Sequence, residues 1–343
     1  FALSARGQEE KKEETQPEGQ GKAEKAESKE KEASFGATPY FYSGPDTGIG
    51  VGASGLFRDL FKKEGRDFTF TVSYTQNQYQ DYSIDWSEPK LFSKNGWANF
   101  SISYGTKPNR RFYGIGNQAK EDNVCSFGDK EFNVTPRYDY WFLLSEKRRA
   151  GVKVNYKYSW FKPENGSFSW EEAVEDLEDD SLRPISDIFP AVYHSDDFED
   201  GGASAGPGIL FVYDDRKDKF PIGGGRDEVV FPIGGGRQEL FIGFNHGAFG
   251  SNFDYNEYRL NLTYYVPIGW EWTVLGMRGQ VQIKDGDVPF WDMSSFGSDN
   301  TIRGYHGGRF RGYDSTLLNF ELRQAFDVSF SPCLLYTSDA ADE

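Results

Sequence analysis

From about Ile49 onward, apolar and polar residues alternate with a period of two, the pattern of strands with two different faces. In 150–160, Val152, Val154, Tyr156, Tyr158 and Trp160 oppose Lys153, Asn155, Lys157 and Ser159. In 254–266, Tyr258, Leu260, Leu262, Tyr264 and Val266 oppose Glu257, Arg259, Asn261 and Thr263. Phe68, Phe70, Val72 and Tyr74 oppose Asp67, Thr69, Thr71, Ser73 and Thr75, and Leu318, Phe320 and Leu322 oppose Asn319, Glu321 and Arg323. The predicted strands are 48–58, 66–76, 79–88, 96–106, 111–117, 130–143, 150–161, 206–214, 237–247, 254–266, 270–284 and 312–325.

Length separates the possible β folds. Strands of soluble sandwiches average about 5–6 residues, whereas a tilted strand needs about 9–11 to cross a bilayer. Most of the predicted runs reach the second range. Tyr and Trp gather near strand ends, as an interfacial girdle requires. An open sheet edge cannot be hydrated inside a bilayer, so the sheet is expected to close. The expected fold is all-β, a transmembrane antiparallel β-barrel. Phe68, Phe70, Leu260, Leu262, Leu318 and Phe320 are expected to face lipid, and Arg259 and Lys157 the lumen.

Connector lengths give a second signal. Asn77-Gln78, Lys107–Arg110, Ser145–Arg149 and Pro267–Gly269 are short, while 59–65, 118–129, 162–205 and 285–311 are long. Barrels of the outer membrane put short turns on one side and long loops on the other. Within 162–205, Ser169-Trp170-Glu171-Glu172 followed by AVEDLEDD reads as a capped acidic helix. Asp196, Asp197, Glu199 and Asp200 lack the spacing of a calcium loop and read as a solvated acidic stretch. Phe220-Pro221-Ile222-Gly223-Gly224-Gly225-Arg226 recurs as Phe231–Arg237. Neither copy carries the Gly-Lys-Ser/Thr of a phosphate loop, and the pair reads as a duplicated turn.

Composition agrees with a barrel. Aromatics make up 17% of a chain whose hydrophobic content is only 37%, and there are 39 Gly. The net charge of −16 argues against a nucleic-acid partner. No apolar stretch is long enough for a transmembrane helix. Residues 1–5, Phe1-Ala2-Leu3-Ser4-Ala5, read as the remnant of a signal peptide. Residues 6–34 are a Glu/Lys/Gln run with no core to bury and read as a disordered leader. The barrel domain is assigned to 35–332. The tail 333–343, CLLYTSDAADE, resembles read-through of a sequencing adapter and is treated as non-native, which leaves Cys125 without a partner for a disulfide.

Residues 288–313, VPFWDMSSFGSDNTIRGYHGGRFRGY, form a long Gly-rich, Arg-bearing connector. Ile302-Arg303-Gly304-Tyr305 resembles the signature of the BamA/TamA-type surface-antigen barrels. Pro289-Phe290-Trp291 and Phe296-Gly297-Ser298 resemble that family's lead-in. So do Gly206-Pro207-Gly208 with Tyr213-Asp214-Asp215-Arg216, and Tyr265-Val266-Pro267-Ile268. Over 36–160 the likeness is weaker, carried by Tyr42–Gly48 and by Phe112–Asn117.

The resemblance implies a sixteen-stranded barrel of the bacterial outer membrane, about 12 of whose strands are present here, with the signature loop after the eleventh. It implies that the loop folds back into the lumen and that Arg303 pairs with an acid on strand twelve, where Glu321 is the match. Arginine suits such a site because its fork binds carboxylate at two points. It implies a role in inserting or translocating unfolded outer-membrane protein clients, with the lipid bilayer as the other partner and no cofactor. Family members carry periplasmic docking domains ahead of the barrel, where this chain has the charged leader. The alternative is a passive channel with a polar lumen. An enzyme is not expected, because His194, His246 and His306 have no Ser and acid at a persuasive spacing. No metal cluster is expected either.

Overall fold

The computed structural model describes residues 33–44, 47–116, 119–120, 123–145, 148–166, 183–222, 229–269, 273–298 and 301–324. The signal remnant, the leader up to residue 32, the capped helix at 169–180, the turn Gly223–Arg226 and the tail 333–343 lie outside them. One antiparallel sheet dominates. Its strands are β1 (Ser34–Gly44), β2 (Gly48–Arg58), β3 (Asp67–Thr75), β4 (Gln80–Pro89), β5 (Gly96–Phe112) and β6 (Cys125–Leu144). They continue with β7 (Arg149–Asn165), β8 (Gly202–Asp214), β9 (Lys217–Ile222), β10 (Val229–Asn245), β11 (Tyr255–Pro267) and β12 (Thr273–Gly286). A small pair, β13 (Ser294–Phe296) and β14 (Phe310–Gly312), precedes β15 (Ser315–Gln324).

Hydrogen-bonded order follows the chain, β1 to β8, then β10, β11, β12 and β15, with β9 pairing only the start of β10. Each wall strand thus lies beside the next wall strand in the chain, the arrangement of an up-and-down barrel wall. Among the described residues β1 and β15 are the open edges of this twelve-strand wall.

Twelve strands build the wall, as expected, but two assignments were off and cancelled in the count. Ser34–Gly44 is a strand paired with β2 along its whole length, from Ser34↔Arg58 to Gly44↔Gly48. Pro39 and the consecutive Tyr40-Phe41-Tyr42 break the alternation, and its register supplies the pairing. Residues 96–106 and 111–117 are not two strands. Lys107–Arg110 is a bulge inside the single strand β5, where the register against β6 slips. Pro108 suggests a turn, yet a bulge accommodates proline because the extra residue leaves the ladder.

Merging those strands reverses the side of every connector before β5. The connectors 113–124, 166–201, 246–254 and 287–314 leave one end of the sheet, and so does the turn at Asn77-Gln78. The connectors 59–66, 90–95, 145–148 and 268–272 leave the other. The expected grouping of 59–65 with the long loops is therefore corrected. The two Phe-Pro-Ile copies face each other across the β9–β10 hairpin, with Phe231 opposite Phe220.

The apolar faces point away from the polar contents of the sheet. Leu318, Phe320 and Leu322 are 67–70% exposed, and Leu260, Leu262, Tyr264, Val281 and Ile283 are exposed on the neighbouring strands. The opposite face holds Lys157, Lys284, Glu257 and Asn319, which touch one another or the 287–314 loop. That loop contacts inner residues of β5, β7, β11 and β15. In a flat sheet β5 and β15 would stand roughly 30 Å apart at the usual strand spacing, so the wall must curve around the loop. Buried apolar side chains cluster where the loop meets the strand ends. Phe112, Phe127, Phe161, Ile185, Phe198 and Phe290 pack there beneath the short helices α1 (Ile185–Ile188), α2 (Pro190–Tyr193) and α3 (Asp196–Asp200).

Candidate functional site

The loop between β12 and β15 is built as a clamp. At its base Pro289 and Phe290 enter the aromatic cluster. The Phe290 ring meets Phe112 at 5.4 Å and Phe127 at 5.5 Å, in edge-to-face geometry. Trp291 stacks on Phe161 at 4.9 Å. Directly after them stands Asp292, whose carboxylate accepts hydrogen bonds from Ser204 Oγ at 2.5 Å and from the Tyr255 hydroxyl at 2.8 Å. Lys157 Nζ lies 3.5 Å away, and the Lys284 ammonium donates to the Asp292 main-chain oxygen. Burial alone would raise the Asp292 pKa. The charges of Lys157 and Lys284 and the two hydroxyl donors outweigh it and hold the carboxyl at about 2.

The β13–β14 pair narrows the loop, with Phe296 opposite Phe310. Gly297, at φ +113°, lets the chain cross itself there, since a Cβ would meet the His306 carbonyl oxygen at 2.0 Å. Two arginines fix the returning limb. Arg309 lies over the rings of Tyr113, at 4.7 Å, and Phe310, at 4.9 Å, and donates to the Ala119 carbonyl at 3.0 Å. Arg311 is 6% exposed and donates to the Phe290 carbonyl at 3.0 Å. Its Nε is buried without a partner among the described residues. Burial first, and the nearby charge of Arg110 second, lower its pKa to about 10.

The signature residues sit at the exposed tip. Arg303 Nη2 is 3.9 Å from Glu321 Oε1 on β15, and the Arg303 side chain is 73% exposed. Glu321 holds Arg323 more closely, at 2.7 Å. Gly304 takes φ +80°. Tyr305 is half exposed and meets the Phe310 ring at 5.3 Å. Ile302 and Arg303 line, with Glu321, Arg323 and Arg278, a cavity of about 760 Å³ against β11, β12 and β15. The Asn319 amide donates to the Thr301 carbonyl at 2.8 Å, which seats the tip on the inner face of β15.

Sequence reading brought Arg303 and Glu321 together but missed the tighter anchors, Asp292, Ser204, Tyr255 and Arg311. Two signals were available. Asp292 directly follows Pro289-Phe290-Trp291, and Arg311-Gly312-Tyr313 repeats the Arg-Gly-Tyr string. The three histidines are dispersed. His194 lies 3.7 Å from Glu199, His246 lies 3.6 Å from Asp254, and His306 bonds Arg111. The acidic residues 196–200 form the one-turn helix α3, capped by the Ser195 hydroxyl.

Three comparisons bear on this architecture. Among solved structures, CdiB from Escherichia coli is similar with a TM-score of 0.54 at 8% identity, covering 86% of this chain and 49% of that one. CdiB from Acinetobacter baumannii gives 0.49 at 9% identity, covering 87% and 53%. BamA from Haemophilus ducreyi lacking POTRA domains 1–3 gives 0.47 at 16% identity, covering 80% and 45%. The chain thus spans about half the length of the structures it matches. No curated protein matches the sequence. The model of the Omp85 superfamily domain matches residues 61–326, the stretch that contains ten of the wall strands in full and the whole loop clamp. The chain therefore belongs to the Omp85 superfamily.

Proposed function

We propose that this chain forms the membrane wall of a bacterial outer-membrane protein that inserts or translocates polypeptides, without covalent chemistry of its own. The observation that carries this reading is the loop 287–314. It is folded against the inner faces of the wall and held there by Asp292 and Arg311, with Ile302–Tyr305 presented at its tip over Glu321. Superfamily membership supports it. In this reading the loop stiffens the wall, and an unfolded client pairs with an exposed strand edge, where main-chain hydrogen bonds supply affinity for many sequences.

A passive channel is the second reading. It draws on the polar cavity of about 720 Å³ lined by Lys153, Lys157, Glu257 and Arg259. Those charges are engaged in pairs. Lys153 lies 3.5 Å from Asp139, Lys157 lies 3.5 Å from Asp292 and Arg259 lies 3.8 Å from Glu257. A lumen crossed by a bonded loop and internally paired charges favours the first reading. The test is client insertion in proteoliposomes, run beside conductance in a planar bilayer. Arg303→Ala is expected to impair insertion while the barrel still assembles. Full insertion by that variant, with steady ion conductance by the parent, would turn the assignment to the channel.

A further inference from the structure

The turns that leave the sheet opposite the loop clamp share a pattern. Leu60-Phe61-Lys62-Lys63 lies between β2 and β3, and Leu91-Phe92-Ser93-Lys94 lies between β4 and β5. Both phenylalanines adopt the left-handed conformation, at φ 55° and 59°, a region that non-glycine residues occupy rarely and at a cost. Both rings point into solvent, 76% and 89% exposed. At the third turn on this rim a register shift after Trp141 exposes Phe142, Leu143 and Leu144 just before Arg148 and Arg149.

These turns are braced. Lys63 and Arg66 both hold Glu88, Arg66 Nε at 2.7 Å. Leu60 N donates to the Arg66 carbonyl at 2.9 Å, and the Tyr138 hydroxyl donates to the Leu91 carbonyl at 2.9 Å. The Asp59 carboxylate accepts from Gly65 N and that of Asp67 from Asp59 N, so these acids face into the turn. Among the described residues of these turns Glu64 is the exposed acid, against exposed Lys62, Lys90, Lys94, Arg148 and Arg149. The described residues of these three turns are cationic on balance, in a chain of net charge −16. Next to it a row of rings runs across the lipid-facing side of the strands in direct register, Phe35, Phe57, Phe68, Trp86 and Phe100.

We propose that the turns 59–66 and 90–95, with Phe142–Leu144, Arg148 and Arg149 beside them, form a docking surface for the anionic head groups of the adjoining phospholipid leaflet. The Phe61 and Phe92 rings enter at head-group depth, and the flanking lysines and arginines meet the phosphates. Lysine suits that boundary, with an apolar stem and a wet head, and phenylalanine is among the residues that interfacial segments bury at the head-group boundary. Basic clusters next to a membrane surface draw anionic lipid. Continuity with the outward ring row supplies the occupant, because the same leaflet covers those rings. The inference rests on the membrane reading given above.

The test places a nitroxide at Phe61→Cys, Phe92→Cys or Leu260→Cys in the full chain, with Cys125 and Cys333 replaced by Ser. The chain is refolded into phosphatidylcholine vesicles with and without phosphatidylglycerol. Label depth is read from accessibility to oxygen against a water-soluble nickel chelate. The Leu260 label is expected within the acyl region, and the labels at 61 and 92 at head-group depth when phosphatidylglycerol is present. Adding Lys62→Gln, Lys90→Gln and Lys94→Gln is expected to return both turn labels to water. Water-exposed turn labels beside a lipid-buried Leu260 label would overturn the docking surface alone and leave the rim to a protein partner. A water-exposed label at Leu260 as well would overturn the membrane reading and the docking surface together.

Discussion

Tyr255, the first residue of β11, donates its hydroxyl to the Asp292 carboxylate at 2.8 Å and so ties the inner wall to the base of the loop that follows β12. Tyr255 is 1% exposed, so the bond is sheltered from competing water. Hydrogen bonds to a charged group contribute about 1.5–3 kcal/mol each. Tyr255→Phe should therefore loosen the loop by roughly that amount. Faster hydrogen exchange confined to 287–314, with the strand amides unchanged, is the expected result. Uniform protection in both proteins would count against the anchor.

Asp292 also sets a pH dependence. Its carboxyl lies below its ordinary value of 3.8, at about 2. A lowered folded pKa contributes stability that is complete above the unfolded value and is lost as pH falls through the folded one. The anchor should hold at pH 5 and above and weaken between roughly pH 4 and pH 2. The shift corresponds to about 2 kcal/mol. Asp292→Asn, which mimics the protonated acid, should show the loosened loop already at neutral pH. Proteolysis of the loop across that pH range separates the two proteins. An identical acid transition in Asp292→Asn would assign it to other groups.

Arg303 should matter little for stability. Its side chain is 73% exposed and its contact with Glu321 is 3.9 Å long, so by analogy with surface pairs its loss should cost under about 1 kcal/mol. Arg303→Ala should fold and resist heat like the parent but insert clients more slowly. Arg303→Lys should recover only part of the rate, because the planar fork is lost. Complete recovery by lysine would reduce the role of Arg303 to its charge.

Phe290 joins the loop to the aromatic cluster, 5% exposed and in contact with Phe112, Phe127 and Phe198. Truncating a buried phenylalanine to alanine typically costs about 3–5 kcal/mol. Phe290→Ala should lower the unfolding midpoint in denaturant and, unlike Tyr255→Phe, also expose the helices α1–α3. A midpoint within error of the parent would mean that the cluster does not hold the loop.

Two glycines of the loop should respond in opposite ways. Gly297→Ala puts a methyl group against the His306 carbonyl at 2.0 Å in a backbone of positive φ, and it should disrupt the β13–β14 pair. Gly307→Ala meets nothing within 4 Å and should be tolerated. Heat-modified mobility of the folded barrel on gels, compared between the two variants, provides the check.

Much of the fold was present in local sequence, and much of the site was not. Alternation is a property of neighbouring residues, so Val152–Trp160 or Leu318–Leu322 declared a two-faced strand without knowledge of any partner. Arg303 was legible as part of a four-residue string, and Glu321 as a polar position on the following strand. Tertiary structure alone decided the rest. Ser34–Gly44 became a strand because β2 pairs with it over its full length, and Lys107–Arg110 became a bulge because β6 continues past it. Those outcomes also decided which connectors share an end of the sheet. The Asp292 anchor draws on Ser204, 88 residues earlier, and Tyr255, 37 residues earlier. A single carboxylate can be held that way only where a curved wall brings distant strands within hydrogen-bond reach. A period of two reports which face a side chain occupies, while register and curvature, set by pairing between strands, determine what that face meets.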